Sequence, residues 1–357
     1  VVSDSGNKYR FRNSANTATF AQSAVVLDLA EGGTYTFDQS DSTMSSHPMK
    51  LSTTANGTHG GGTSYNTGVT YQLDGSTVTE SAFVSGFSSA TSRKLIITVA
   101  ASAPTLYYYC HYHSGMGSSI NTNSTLGSSN FDGSIQTTAK VNATAGYSIV
   151  GYTGTNGNGT IGHGLGVAPK AVIVRRRPNA SDWAVYHGEI GNSKRLVLNV
   201  NSGESNSSAG WWQNTSPTSS VVYLGNDAGL NGTTDTYIAY CFSEVEGYSK
   251  FGKYTGNGSN NGRFVFTGFK VKWLLIKKTN TSESWILADS KRNSNVGRKS
   301  PADSYLLADS NNAESTGIIY DLNSNGFKFR STSQNTSGHT YVYFAFAESP
   351  FRNARAT

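Results

Sequence analysis

Cysteine, methionine, proline and charge are all scarce in this chain. Its 357 residues include 2 cysteines, 3 methionines and 7 prolines, and 14% of them are charged. Two cysteines are too few for a disulfide framework. Cys110 and Cys241 also fall in what read as separate domains, so no bond between them is expected. No apolar run is long enough to cross a bilayer as a helix, and no signal-peptide pattern opens the chain, so no membrane insertion is expected. A start at Val1 fits a processed chain or one part of a longer product. Long runs of Ala, Leu, Glu and Lys are missing, which argues against a helical fold. There is no paired-carboxylate signature and no phosphate-binding Gly-Lys-Ser/Thr motif, and "DLNSNG" (321–326) lacks the full ligand series of a calcium loop. His163, in "NGTIGHGLGVAPK" (158–170), has no nearby acid and reads as part of a tight turn. The chain is therefore read as no enzyme.

Tyr (20), Phe (16) and Gly (39) are abundant, among many Val, Thr, Ser and Asn residues. Such a composition indicates an all-β protein built of sandwiches. Strand candidates in the first third are 8–13, 24–29, 34–39, 94–101 and 105–110, several with period-two alternation. The Ser/Asn-rich stretch 117–130 reads as a linker. Net charge is +6, with basic clusters at Arg175–Arg177, Lys277–Lys278 and 351–357. No nucleic-acid-binding motif accompanies them, so they read as solvated strand ends and no nucleic-acid partner is expected.

An internal repeat follows. "GYTG" (151–154) and "AVIVRR" (171–176) return 102 residues later as "KYTG" (253–256) and "WLLIKK" (273–278). Trp183 and Trp285 keep the same offset, and "YIAYCFSE" (237–244) returns as "YVYFAFAE" (341–348), 104 residues on. Each copy has the size of a small β-sandwich. The expected organisation is a domain at 1–120, a linker and leading strand at 121–146, and repeats at 147–249 and 250–357. The two recurrent tryptophans are expected as core anchors. Trp211 and Trp212, absent from the second copy, read equally well as an exposed sugar-stacking pair or as a loop plug.

"TLYYYCHYHSGMGS" (105–118) brings a thiol, an imidazole and a thioether together at Cys110, His113 and Met116. Two His and one Cys in a plane, with a weak axial Met, make a blue-copper site. The local stretch needs a second imidazole, and His47 in "STMSSHPMKLS" (42–52) is the candidate donor. His111 and Met49 are the neighbours that could be mistaken for ligands, and His59 reads as loop. On these residues the first domain resembles the cupredoxins with the short Cys-x-x-His-x-x-Met loop. The resemblance covers about residues 1–120 and implies a Greek-key sandwich with His47, Cys110, His113 and Met116 as ligands of a type 1 copper ion. Many cupredoxins follow the first His with an Asn that ties the ligand loops together. Pro48 stands there instead, so support for the site must come from elsewhere.

The remainder resembles β-sandwich (jelly-roll-like) repeats of structural proteins of marine tailed phages. The likeness lies in "FDGSIQTTAKVNATAGYSIVGYTG" (131–154), "IGHGLGVAPKAVIVRRR" (161–177) and "YIAYCFSEVEGYSKFGKYTGNG" (237–258). It implies a non-enzymatic tail fibre or appendage protein on the virion surface. Such a protein would be a homo-oligomer, a trimer above all, with other virion proteins and a host glycan or receptor as partners. Contact would be made through loops such as 205–216 and 289–302. A head-decoration protein, a blue-copper electron-transfer protein with appended binding domains, and a lectin-like adhesin are the alternative expectations.

Overall fold

The computed structural model describes residues 1–123, 127–178, 180–292 and 302–347. They are nearly all β, as the composition indicates, and the chain divides into two compact units, Val1–Lys140 and Val141 onward.

The first unit opens with a short ribbon, β1 (Val2–Ser3) and β2 (Asn7–Lys8). There follow β3 (Leu27–Ala30), β4 (Thr34–Asp38), β5 (Met49–Ser52), β6 (Val69–Leu73) and β7 (Ser76–Val78). Helix α1 (Glu80–Gly86) precedes β8 (Arg93–Thr98), β9 (Leu106–Cys110) and β10 (Ser119–Asn123). They form two four-stranded sheets, in the orders β3-β10-β9-β5 and β4-β8-β6-β7. Strand β8 buries alternate residues, Arg93, Leu95 and Ile97, as a strand with one core face should. Leu51, Leu106 and Ile120 of one sheet meet Leu95 and Ile97 of the other in a single cluster, all fully buried. That is sheet-on-sheet packing.

The linker expectation is corrected here. Residues 119–123 form β10, which pairs in parallel with β3 from Ile120↔Leu27 to Asn123↔Ala30. Beyond it β11 (Ser128–Asn130) pairs with β12 (Thr137–Asn142), and Phe131 stacks on Phe11 at 5.3 Å. Ser and Asn side chains that suggested a loop instead hydrogen-bond across strands: Ser129 Oγ accepts from Asp28 N at 2.8 Å. The stretch 8–13 is also different from its expectation, since only Asn7–Lys8 and an isolated bridge at Arg12↔Thr19 are β there.

The first copy in the second unit has β13 (Tyr147–Thr153), β14 (Gly159–Gly162), β15 (Ala171–Arg176), β16 (Trp183–His187) and β17 (Lys194–Val197). Short β18 (Ser205–Asn206), α2 (Ser208–Trp212), β19 (Val221–Leu224), α3 (Ala228–Asn231) and β20 (Thr236–Phe242) complete it. The second copy has β21 (Ser249–Thr255), β22 (Phe264–Phe266), β23 (Trp273–Lys278) and β24 (Ile286–Asp289). It ends with β25 (Ala302–Leu307), β26 (Ser315–Asn323), β27 (Gly326–Phe329) and β28 (Thr340–Phe346). The run β13-β20-β15-β16-β17 of one sheet matches β21-β28-β23-β24-β25 of the other. Their opening pairs are equivalent, Tyr147↔Phe242 to Thr153↔Thr236 and Ser249↔Phe346 to Thr255↔Thr340.

The copies bury the same faces against each other. Ala171, Val185 and Leu196 of the first meet Phe251, Leu275, Trp285, Val342 and Phe344 of the second. Each such large apolar side chain contributes about 1.5–3 kcal/mol on burial. The recurrent tryptophans differ in depth. Trp285 is fully buried and donates from Nε1 to Val197 O at 2.8 Å, whereas Trp183 is half-buried beneath the Arg175 guanidinium. Only Trp285 is a core anchor.

Candidate metal centre in the first unit

Pairing of β5 with β9 closes the sequence separation of 63 between His47 and Cys110. Met49 lies opposite Cys110, and His111 N donates to Pro48 O at 2.9 Å, so the residue before Pro48 arrives beside the thiol. His47 is held by its own turn: its N–H donates to Met44 O at 2.7 Å, after a 3-10 turn (Ser42–Met44) capped by the Asp41 carboxylate. From the other side Tyr9 donates its hydroxyl to His47 O at 2.9 Å.

Nδ1 of His47 lies 3.8 Å from Cys110 Sγ, and Nδ1 of His113 lies 3.6 Å from it. All three ligand atoms fall within 4.8 Å of one another. An ion with metal–nitrogen and metal–sulfur bonds of about 2.0–2.3 Å spaces such donors roughly 3.5–3.8 Å apart, so the sulfur and each imidazole nitrogen are placed as two ligands of one ion would be. The cluster could bind a metal. It is the one such group of three among the described residues. Cys110 is wholly buried, His47 nearly so, and His113 exposed, which gives the site one wall facing solvent. Burial, with a lesser contribution from His113, pushes the His47 pKa down, and the neutral ring keeps a lone pair for a ligand bond.

Met116 is 1% exposed and sits in the same core cluster, at the point where the loop returns to the sheet. Its carbonyl accepts from Tyr9 N at 2.9 Å. Gly117 follows because a Cβ there would run into the Tyr108 carbonyl. The tie that Pro48 cannot make comes from Tyr9, whose hydroxyl reaches His47 O and whose N–H reaches Met116 O, and Asn56 anchors the second loop. Its Oδ1 accepts from Gly115 N at 2.7 Å, and Lys8 Nζ donates to Gly115 O. Asn56 holds a left-handed conformation, φ 60°, and a Cβ on the following Gly57 would strike the Tyr109 ring. Sequence reasoning missed this residue. The Asn-Gly pair signals a turn but does not say what the Asn side chain will reach.

The neighbouring residues have other roles. Met49 is a core residue whose backbone is clasped on both sides by the Gln39 amide. His59 meets Cys110 O through Nε2 at 3.1 Å, so it supports the site from behind. His111 lies outside the cluster, and burial, followed by the charge of Lys50, lowers its pKa. Lys50 is buried against Glu80 at 2.6 Å, and Ser64 and Asn66 also donate to that carboxylate.

In the second unit His163 is a satisfied core histidine, accepting from Leu165 N at Nδ1. Trp211 and Trp212 are 5% and 1% exposed, with Arg195 stacked 3.9 Å over Trp211, so the plug is observed and the exposed pair is not. Arg176 pairs with Asp235 at 2.7 Å, and Lys277 is buried among the carbonyls of Asn201, Lys278 and Glu283. These cations brace loops, contrary to the expectation of solvated strand ends. The cluster at 351–357 and most of the loop 289–302 lie outside the described residues. The segment 321–326 is the hairpin turn between β26 and β27.

No curated protein and no solved structure matches the chain. The His47–Cys110–His113 cluster precedes the part of the chain for which a relationship is found. Residues 120–350 match the model of a domain of unknown function, DUF7483, and the chain belongs to that family.

Proposed function

We propose that this is a non-enzymatic structural protein of a tailed-phage virion, a tail fibre or related appendage, whose first unit is a cupredoxin-like sandwich with a type 1 copper site. The observation that carries the metal reading is the convergence of Cys110, His47 and His113 with donor spacings that suit a single ion. A cysteine sulfur and two imidazole nitrogens, with the thioether of Met116 at the loop's end, favour copper over zinc or a hard cation. Bound copper would supply a one-electron couple and a cross-link between the turn at 42–48 and the loop at 111–116. The chain's own residues do the rest: Tyr9, Asn56 and Lys8 hold the two loops in register. The ion would act chiefly as a staple, since a ligand that binds only the folded domain stabilises it by about 2.7 kcal/mol at a hundredfold excess over Kd.

Two equivalent sheets in series, read as jelly-roll-like repeats, suit display of loops on a particle surface, where a homotrimer would multiply weak contacts with a host glycan or receptor. Electron transfer is the second reading. It is favoured by exposed His113 and by Tyr112, 54% exposed, beside it.

Titration with Cu(II), followed by visible absorption in wild type and Cys110→Ser, tests the metal. An intense band lost in the variant supports a thiolate–copper centre, and its absence from wild type refutes one. A redox titration of the loaded protein then separates staple from electron carrier. Antibody raised to the second unit should label the tails of purified particles. Labelling of heads would favour a decoration protein, and no labelling would sink the virion reading.

A further inference from the structure

A cavity of about 680 Å³ opens in the first unit beside β4, within the range of small-molecule sites, and it belongs to neither the metal cluster nor the repeats. Phe11 and Phe37, 6.3 Å apart and each half-buried, supply aromatic surface. Among the five charged side chains that line it, Arg12 and Asp41 neutralise each other at 3.1 Å. Arg10, Lys94 and Asp38 remain, an excess of one positive charge. Among the described residues neither the Arg10 nor the Lys94 side chain has a hydrogen-bond or ion-pair partner, and Arg10 Nε is shut off from solvent without an acceptor. The Arg10 guanidinium and the Lys94 ammonium both line the cavity, and an anionic group there would give the exposed ends of these cations charge-assisted hydrogen bonds.

Seven lining residues are Ser, Thr or Asn, which separates the alternatives. A fatty acid or other lipid would leave those hydroxyls and amides facing hydrocarbon. A polyhydroxylated ring would bond to them, lay a C–H face on Phe37 or Phe11, and set a carboxylate against Arg10.

We infer that this cavity is a binding site for an acidic sugar, a pyranose carrying a carboxylate such as a uronic acid. The inference rests on the cavity alone and is independent of the copper and virion readings. An acidic surface polysaccharide and a free sugar acid share the chemistry, and length dependence distinguishes them. A tetramer that binds more tightly than the monosaccharide marks the polymer.

The test uses the full chain and ligand-observed NMR titration with sodium glucuronate, with glucose as the neutral counterpart and benzoate as an anion without hydroxyls. Glucuronate should bind at least about tenfold more tightly than glucose, the loss expected when one charge-assisted hydrogen bond is removed. Arg10→Met should weaken glucuronate by about ten- to a hundredfold and leave glucose little changed. Lys94→Gln, on a half-exposed side chain, repeats the experiment should the Arg10 variant not fold. Cys110→Ser should bind glucuronate like wild type, so failure of the copper reading leaves this result standing. Equal binding of glucose and glucuronate, binding of benzoate alone, no glucuronate binding, or binding indifferent to both cation variants overturns the assignment.

Discussion

Lowering the pH from about 7 to about 4.5 should loosen the seam between the two copies in the second unit, through His187. This imidazole is wholly buried at the end of β16, edge-on to Phe344 at 5.1 Å. Its Nε2 donates to Tyr343 O of the second copy at 3.3 Å, and Nδ1 accepts from Glu189 N. Burial lowers its pKa from 6.5 to about 4. The Tyr343 carbonyl and Glu189 oppose that shift, and Lys170 and Lys253 assist it. Between those values the unfolded chain binds a proton that the folded one refuses, so stability falls as the pH falls through the window. Over the stated interval the loss is about 2.5 kcal/mol, or roughly 5–10 °C in Tm for a unit of this size. All five tryptophans lie between 183 and 285, so tryptophan fluorescence during urea unfolding reports on this unit and not on the first. His187→Gln keeps a donor and an acceptor but cannot be charged. It should flatten the pH dependence by that same amount. Equal losses in wild type and His187→Gln would refute the reasoning.

Other expectations follow from single contacts. Trp285→Ala should cost about 3–5 kcal/mol in urea unfolding, against about 1 kcal/mol for half-buried Trp183→Ala, and equal costs would contradict their different depths. Burial raises the Glu80 pKa, but hydrogen bonds from Lys50, Ser64 and Asn66 outweigh it and hold the carboxyl at about 2. Its contribution is complete above the unfolded value of 4.5 and is lost as the pH falls towards 2. Glu80→Gln should cost the first unit about 3 kcal/mol by stranding buried Lys50, read by near-ultraviolet circular dichroism of its tyrosines. Asn56→Gly, which keeps the left-handed backbone, should leave the fold intact yet weaken Cu(II) uptake by roughly tenfold, as loss of a supporting contact does, and undiminished uptake would show that the loop holds itself.

Some of this was legible in the chain because it is local or periodic. The all-β class follows from composition, and alternation located β3, β4, β8 and β9. The repeat announced itself by a constant offset, and the equivalent strand orders agree with it. Cys110, His113 and Met116 stand close together in sequence, so their chemistry could be read directly. Strand β5 escaped notice because all four of its residues, Lys50 among them, are buried and show no alternation. Strands β6, β7 and β10 were also missed. In β10 the polar residues serve a neighbouring strand, and a strand's partner is not written in its own composition.

By itself the sequence determined the class, the repeated segments and the donor types of the His47–Cys110–His113 cluster, because each is a property of residue type or spacing. Tertiary structure alone decided that His47 meets the thiol, that Tyr9 ties the two ligand loops together and Asn56 anchors the second, and that Trp285 rather than Trp183 lies in the core. It also placed two unpartnered cations beside an aromatic pair in one cavity. Those outcomes depend on which strands pair and which faces meet, and that is settled by the packing of the whole sheet and not by any stretch of it.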